Sequence, residues 1–169
     1  MKINKLEIKN RVVYPSLGLL YSYDGKLNDR YYHYFQEKAR GGTGLVTVGP
    51  VGIDFIGSGG IIPMLDTDEA IPAFRKMAAV IKDEGARAWV QLFHAGAYSY
   101  PCFYGEAPIA PSAVYSRYSK AMPREMTIED IEQVRQAFVD AAARARKPGL
   151  TAWKFWVPAD TSSPSFCLR

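Results

Sequence analysis

The sequence predicts a parallel α/β fold, and three observations carry that prediction. Short β-branched or apolar runs alternate with amphipathic stretches in the order strand, helix, strand, helix, strand, helix. Two of the strands, Gly44-Leu45-Val46-Thr47-Val48 and Ala88-Trp89-Val90-Gln91-Leu92, are short and mostly apolar, as strands covered on both faces are. The helical stretches repeat apolar residues at three- and four-residue spacing on one side. A doubly wound sheet and a (β/α)8 barrel both satisfy this pattern. A complete barrel takes roughly 250 residues, so 169 residues with three βα units supply only part of one.

Each element has a local reason. Ile3, Leu6 and Ile8 lie among lysines and a glutamate, which suits a short strand near a surface. Arg11-Val12-Val13-Tyr14 is a β-branched run stopped by Pro15-Ser16-Leu17-Gly18. Asp29 opens a helix carrying Tyr31, Tyr32, Tyr34 and Phe35, and Gly41-Gly42 ends it. Asp66, Thr67 and Asp68 stand where a cap belongs, ahead of Ile71, Phe74, Met77, Ala78 and Ile81 at helical spacing, and Gly85 stops that helix. After Leu92 a long loop rich in Pro, Tyr and Ser runs to Met126. Thr127-x-x-Asp130 resembles a capping box with Asp in place of Glu or Gln. Ile131, Val134, Phe138 and Ala141 give the helix that follows its apolar stripe, to about Lys147. Beyond it, Thr151 to Trp156 and Asp160 to Ser165 show neither period, so 148–169 reads as an irregular tail, separate from a barrel portion over 1–147.

Composition excludes several classes. The chain is 48% hydrophobic and 22% charged, which is neither disordered nor fibrous. Cys102 and Cys167 cannot make a disulfide framework, and no CxxC pair points to structural zinc. No run approaches a membrane span, and Met1 to Lys5 lead into alternating residues instead of an apolar signal core. A formal charge of +4, scattered along the chain, does not argue for nucleic acid. The expectation is a cytoplasmic protein acting on a small molecule, with no nucleic-acid or membrane partner.

In parallel α/β folds ligands meet the carboxyl ends of the strands. Three such ends are visible: Pro15-Ser16-Leu17-Gly18, Gly49-Pro50-Val51-Gly52, and Gln91 with His94. Small residues at the first two leave room for a flat ligand. The Gln91 amide offers donors and an acceptor together, which matches a pyrimidine-like edge, or it is a strand-end amide satisfied by loop backbone. His94 reads first as a structural hydrogen-bonder. There is no GxGxxG after a strand and no P-loop, which argues against a Rossmann site or an NTPase.

Five stretches occur in an order that resembles a known family: Asn10-Arg11-Val12-Val13-Tyr14-Pro15, Gly41-Gly42-Thr43-Gly44-Leu45-Val46, Gln91-Leu92-Phe93-His94-Ala95-Gly96, Ala110-Pro111-Ser112-Ala113 and Met126-Thr127-Ile128-Glu129-Asp130-Ile131. The chain is similar, over about residues 1–147, to the amino-terminal half of the old yellow enzyme family, the NADH:flavin oxidoreductases and 2,4-dienoyl-CoA reductase relatives. That resemblance implies an incomplete (β/α)8 TIM barrel of three to four βα units with FMN at the strand ends. It also implies hydride transfer from NADH or NADPH through the flavin to an activated C=C bond or similar acceptor. Pro15, Ser16 and Leu17 would line the isoalloxazine, and Gln91 would bond its pyrimidine edge. Pro50 falls where a backbone N–H usually reaches the flavin, and proline has none. Gly18 stands where Thr or Cys often tunes the flavin. The resemblance implies no catalytic residue and no metal ligand within this chain.

Relatives continue with a segment of the form A-G-F-D-G-V-E-I, which 148–169 lacks. Reading the codons of Trp153 to Val157 on each third base plus the next two forces Glu, then Ile or Val, then Leu, then Gly. Pro148 to Ala152 permit Ala-Gly-Phe-Asp-Gly followed by Val in that frame, and Asp160 to Leu168 permit Tyr-Leu-Ile-Ser-Gln-Phe-Leu-Ser-Pro. The expectation is a frameshift near Lys147–Pro148 that scrambles the fourth strand. The forced Leu takes the place where many members carry a substrate-anchoring His, so substrate anchoring is expected to differ in this branch. An open half barrel is expected to be poorly folded, aggregation-prone or dependent on a complementary partner.

Overall fold

The computed structural model describes residues 2–3, 6–58, 61–147 and 152–156. At its start, β1 (Lys2–Ile3) and β2 (Leu6–Glu7) form an antiparallel hairpin, two short strands where the alternation predicts one. The hairpin lies against the start of the central sheet: Arg87 Nε donates to the Glu7 carbonyl at 2.9 Å, and Lys9 Nζ to the Glu84 carbonyl at 3.1 Å. Ile8, 2% exposed, is buried beneath it.

The main sheet has four strands. β3 (Val13–Tyr14), β4 (Leu45–Gly52), β5 (Arg87–Phe93) and β8 (Ala152–Trp156) lie side by side in that order, all parallel. Between them run α1 (Asp29–Arg40), the short α2 (Phe55–Ser58), α3 (Ile71–Asp83), the short α4 (Pro101–Tyr104) and α5 (Ile128–Arg146). In the loop before α5, β6 (Ile109–Ala110) pairs in parallel with β7 (Arg124–Glu125).

Strand order decides between the two folds the sequence allows. Neighbours in the sheet follow chain order, with no reversal of the kind that marks a doubly wound sheet. The three long helices also cover one face. Phe35 and Ala39 of α1, Phe74, Met77 and Ile81 of α3, and Phe138 and Ala141 of α5 join Val46, Val48, Val90 and Leu92 in a single buried cluster. Successive parallel crossovers with the three long helices on one face build a barrel wall. Thr47, Trp89, Gln91 and Phe93, alternating with the cluster residues, belong to the opposite, inner face.

Helix ends follow local chemistry. Asn28 caps α1 by accepting from the Tyr31 N–H, and Gly42, at φ 98°, turns the chain after it. Thr127 and Asp130 form a reciprocal capping box on α5, reinforced by Arg124 gripping Asp130 at 2.7 and 2.9 Å. The predicted cap of α3 is different. A 3-10 turn over Asp68–Ala70 intervenes, and Thr67 makes no side-chain cap bond. Asp68 instead pairs with Arg144 and Lys147 of the α5 end, tying that end to the turn before α3.

The tail reading needs correction at one place. Ala152–Trp156, expected to be irregular, forms β8 and pairs with β5 from Trp89↔Ala152 to Phe93↔Trp156. The free edge of β5 offers a row of backbone groups that any extended segment satisfies, and aromatic residues favour the extended state. The rest of 148–169 lies outside the described residues.

The Tyr14 hydroxyl lies 2.6 Å from that of Tyr34, beneath the β3 edge. Burial, then the bond to Tyr34, push the Tyr14 phenol up to about 12 from its ordinary 10. The folded chain therefore holds this proton more tightly than the unfolded chain does. Its stabilisation is complete below about pH 10 and is lost as pH rises from there through about 12. Denaturant midpoints measured across that interval are expected to fall, and to fall less in Tyr34→Phe. Equal slopes in the two proteins would remove the pair as the cause.

Candidate functional site

The site is built where β3, β4 and β5 end. The β4–β5 register slips between Val48↔Val90 and Val51↔Leu92, so β4 carries one extra residue opposite Gln91. Gly49 and Pro50 occupy that bulge, a place where an inner strand tolerates a proline. Gly49 has φ 152°. A Cβ there would lie 2.9 Å from Gln91 Cβ, 3.0 Å from the Gln91 carbonyl and 3.0 Å from Ser16 Oγ. Three strand ends, 75 residues apart in sequence at their extremes, thus close on the bare face of one glycine.

The polar groups gathered there make no side-chain hydrogen bond among the described residues. Ser16 Oγ is buried and makes no hydrogen bond, and Trp89 Nε1, earlier on the inner face, is in the same condition. Gln91 is 8% exposed, and its carboxamide has no hydrogen bond among the described residues. Buried polar groups are normally paired, so the Ser16 hydroxyl, without a partner among the described residues and beside the Gln91 carboxamide, is a polar group with hydrogen-bonding capacity to spare.

The other predicted residues divide. Pro50 lines an adjoining apolar cavity of about 400 Å³. Pro15 and Leu17 stand at the rim, exposed to solvent. Gly18 also borders the cavity, but a Cβ there would meet Pro50 at an ordinary 3.7 Å, so space does not demand glycine.

His94 takes the structural role. It is 5% exposed, and its Nδ1 accepts from the Gly96 N–H at 3.0 Å. A Cβ on Gly57 would strike the ring 2.2 Å from Cδ2, so α2 packs flat on the imidazole. Burial holds the His94 pKa below its usual value, and Asp54, with Oδ2 at 3.6 Å from Nε2, opposes that shift in part. Asp54 also accepts from the Gly57 N–H at 2.6 Å, and the Ala95 N–H donates to the Gly57 carbonyl. Together these contacts pin α2 to the end of β5.

Sequence reasoning passes over the far wall of the cavity. Tyr98, Tyr100 and Tyr118 line it with Phe93 and Ile62. The ring centroids of Tyr98 and Tyr100 lie 5.0 and 5.5 Å from that of Tyr118. The available signal is the pair Tyr98 and Tyr100, with Pro101, directly after a strand end.

A wall of parallel strands with its long helices on one face is a portion of a (β/α)8 barrel. The family model for the NADH:flavin oxidoreductase / NADH oxidase family matches residues 1–151, and the chain belongs to that family. Members of the family carry FMN and take hydride from NADH or NADPH. Among its relatives, a metal reductase of Desulforamulus reducens is 35% identical over 148 residues, covering 88% of this chain and 22% of that protein. An NADH oxidase of Thermoanaerobacter brockii is 36% identical, covering 86% and 23%. An NADPH dehydrogenase of Geobacillus thermodenitrificans is 34% identical, covering 85% and 42%. In structure, the chain superposes on old yellow enzyme from Pichia sp. AKU4542 with a TM-score of 0.83 at 28% identity, over 92% of this chain and 44% of that one. A 2-naphthoyl-CoA reductase gives 0.84 at 29%, over 92% and 26%. The chain therefore spans between about a fifth and under half of the proteins it matches.

Proposed function

We propose that this chain carries the isoalloxazine-facing part of an FMN site and belongs to the hydride-transferring machinery of an NAD(P)H-dependent oxidoreductase. The observation that carries the reading is the cradle of Ser16, Gly49 and Gln91. A flat ring edge with alternating donors and acceptors satisfies a hydroxyl and a carboxamide at once, and only a glycine between them leaves room for it. Ser16 and Gln91 would hold the ring edge. Pro50 supports it by packing alone, since it has no N–H to donate. When bound, FMN would supply the relay by which hydride leaves NADH or NADPH and reaches a small-molecule acceptor. The residues here orient and desolvate it.

The phosphate grip of such barrels is expected near strands seven and eight. Charge-assisted phosphate contacts are among the strongest available to a ligand. The 169-residue polypeptide is therefore expected to purify colourless and catalytically inactive, and stoichiometric FMN at micromolar protein would overturn that part. In a frame-restored protein, Gln91→Leu is expected to weaken FMN by about 1–3 kcal/mol, roughly five- to 150-fold in Kd. Fluorescence titration of FMN checks it, and an unchanged Kd would return Gln91 to a purely structural role.

A second reading has its own support. Val12 and Val13 at the β3 edge are 56% and 47% exposed, which suits a half barrel that works by association with a complementary fragment.

A further inference from the structure

His94 is one of two histidines in the chain and has no part in the flavin-facing cradle. The other, His33, is exposed on α1. One hydrogen bond fixes where the proton of the His94 ring sits. Nδ1 accepts from the Gly96 N–H at 3.0 Å, so the neutral ring carries its proton on Nε2. Nε2 is buried and makes no hydrogen bond among the described residues. Asp54 Oδ2, at 3.6 Å, lies beyond hydrogen-bond reach. Among the described residues Asp54 is the one charged group that acts on the ring. From the other elements packed against it, α2 presents Gly57 and the turn after β5 presents Gly96, neither of which titrates.

The ring is wedged in place. A Cβ on Gly57 would strike both Cδ2 and Cγ, so the backbone of α2 lies directly on the imidazole. The Gly57 carbonyl accepts from the Ala95 N–H at 2.7 Å, and the Gly57 N–H donates to Asp54 Oδ1 at 2.6 Å. At 5% exposure with α2 flat against it, the imidazole has no room to turn over. A second proton can therefore go only to Nδ1, where it points at the Gly96 N–H. Two donors then face each other and that hydrogen bond is lost. A positive charge is also left in a dry site whose carboxylate is too distant to bond it. Movement of α2 or of the turn over Gly96–Tyr98 relieves both costs by letting water reach the ring.

We propose that His94 is an acid-sensitive latch: its neutral ring holds α2 and the Gly96–Tyr98 turn against the end of β5, and a proton taken from solvent at Nδ1 releases them. Burial, opposed in part by Asp54, makes the closed form bind this proton less tightly than the open form does. The latch is fully set above about pH 6.5, the ordinary histidine value, and loosens as pH falls below it. One proton taken up on opening favours the open form by up to about tenfold per pH unit. Ser58 and Tyr98 ride on the released segments and line the apolar cavity, so its wall loosens in acid. Gly49 and Gln91 belong to the central sheet and stay in place.

The test follows amide hydrogen exchange of the full 169-residue chain by NMR between pH 7.5 and pH 5, with rates corrected for the pH dependence of exchange itself. Protection at Gly57, Ala95 and Gly96 is expected to fall below about pH 6.5, by up to about tenfold per pH unit, while the amides of α3 keep theirs. His94→Gln retains a carbonyl to accept from the Gly96 N–H and cannot take a charge, so its protection should not vary over this range. The wild type is decisive alone where that variant fails to fold. Its imidazole nitrogen shifts should keep His94 in the Nε2–H form for as long as the Gly96 amide stays protected. Flat protection at the three amides, an equal loss in α3, or a His94 that charges while Gly96 remains protected would each overturn the latch. So would a folded His94→Gln protein that loses protection as the wild type does.

Discussion

Restoring one base ahead of codon 148 is expected to give a protein that is more soluble, melts cooperatively and turns yellow with FMN. The proposal behind this result is that the codons of 148–169 are read out of frame. The forced reading Glu, Ile or Val, Leu, Gly over Trp153 to Val157 supports it. So does the place of those residues: β8 sits in the fourth position of the wall, parallel to β5, where a barrel of this family continues. In the present frame Lys154 stands opposite Gln91 in the register. A Val-Glu-Ile-Leu-Gly strand is β-branched and apolar enough to be covered on both faces. Continued alternation of strands and helices would cover the inner face and the exposed β3 edge, and a closed wall buries more apolar surface per residue. Calorimetry of the two proteins, with soluble yield beside it, reads the outcome. An immediate stop codon in the restored frame, or no further strand–helix alternation, would leave the present frame as the native one.

The parts of this fold that a sequence displays are those set by neighbouring residues. Gly41 and Gly42 end α1, the glycine at 85 follows α3 with φ 75°, and the Thr127–Asp130 box opens α5, all as their local chemistry requires. The cap of α3 misleads because Asp68 satisfies Arg144 and Lys147, partners 76 and 79 residues away, instead of its own helix. The strand at Ala152–Trp156 is hidden for a related reason: its stability comes from the edge of β5 and not from a side-chain period. Within the site, Ser16 and Gln91 are each ordinary strand-end residues by pattern. Parallel register through β4 makes them neighbours, and family resemblance, not spacing, singles them out in the sequence. The tyrosine wall of the cavity is harder still, because Tyr118 meets Tyr98 and Tyr100 across a loop with no periodic signal.

Gly49→Ala is expected to be among the most damaging single-atom additions to this chain. Two costs fall on one position. At φ 152° the backbone is in a region that residues with a Cβ rarely adopt, worth about 1–3 kcal/mol. The added methyl would also meet Gln91 Cβ at 2.9 Å and the Gln91 carbonyl at 3.0 Å. One of those atoms is backbone in the middle of β5, paired on both sides, and cannot swing away. Overpacking of this kind costs about 1–3 kcal/mol more. A total of about 2–6 kcal/mol is a large share of the 5–15 kcal/mol that typically holds a domain folded. Gly18→Ala is the matched control, since its methyl meets only Pro50 at 3.7 and 3.8 Å. Urea midpoints should therefore fall sharply in the first variant and barely in the second. Comparable midpoints for the two would mean that β4 and β5 yield at the bulge, and that the cradle is softer than its geometry implies.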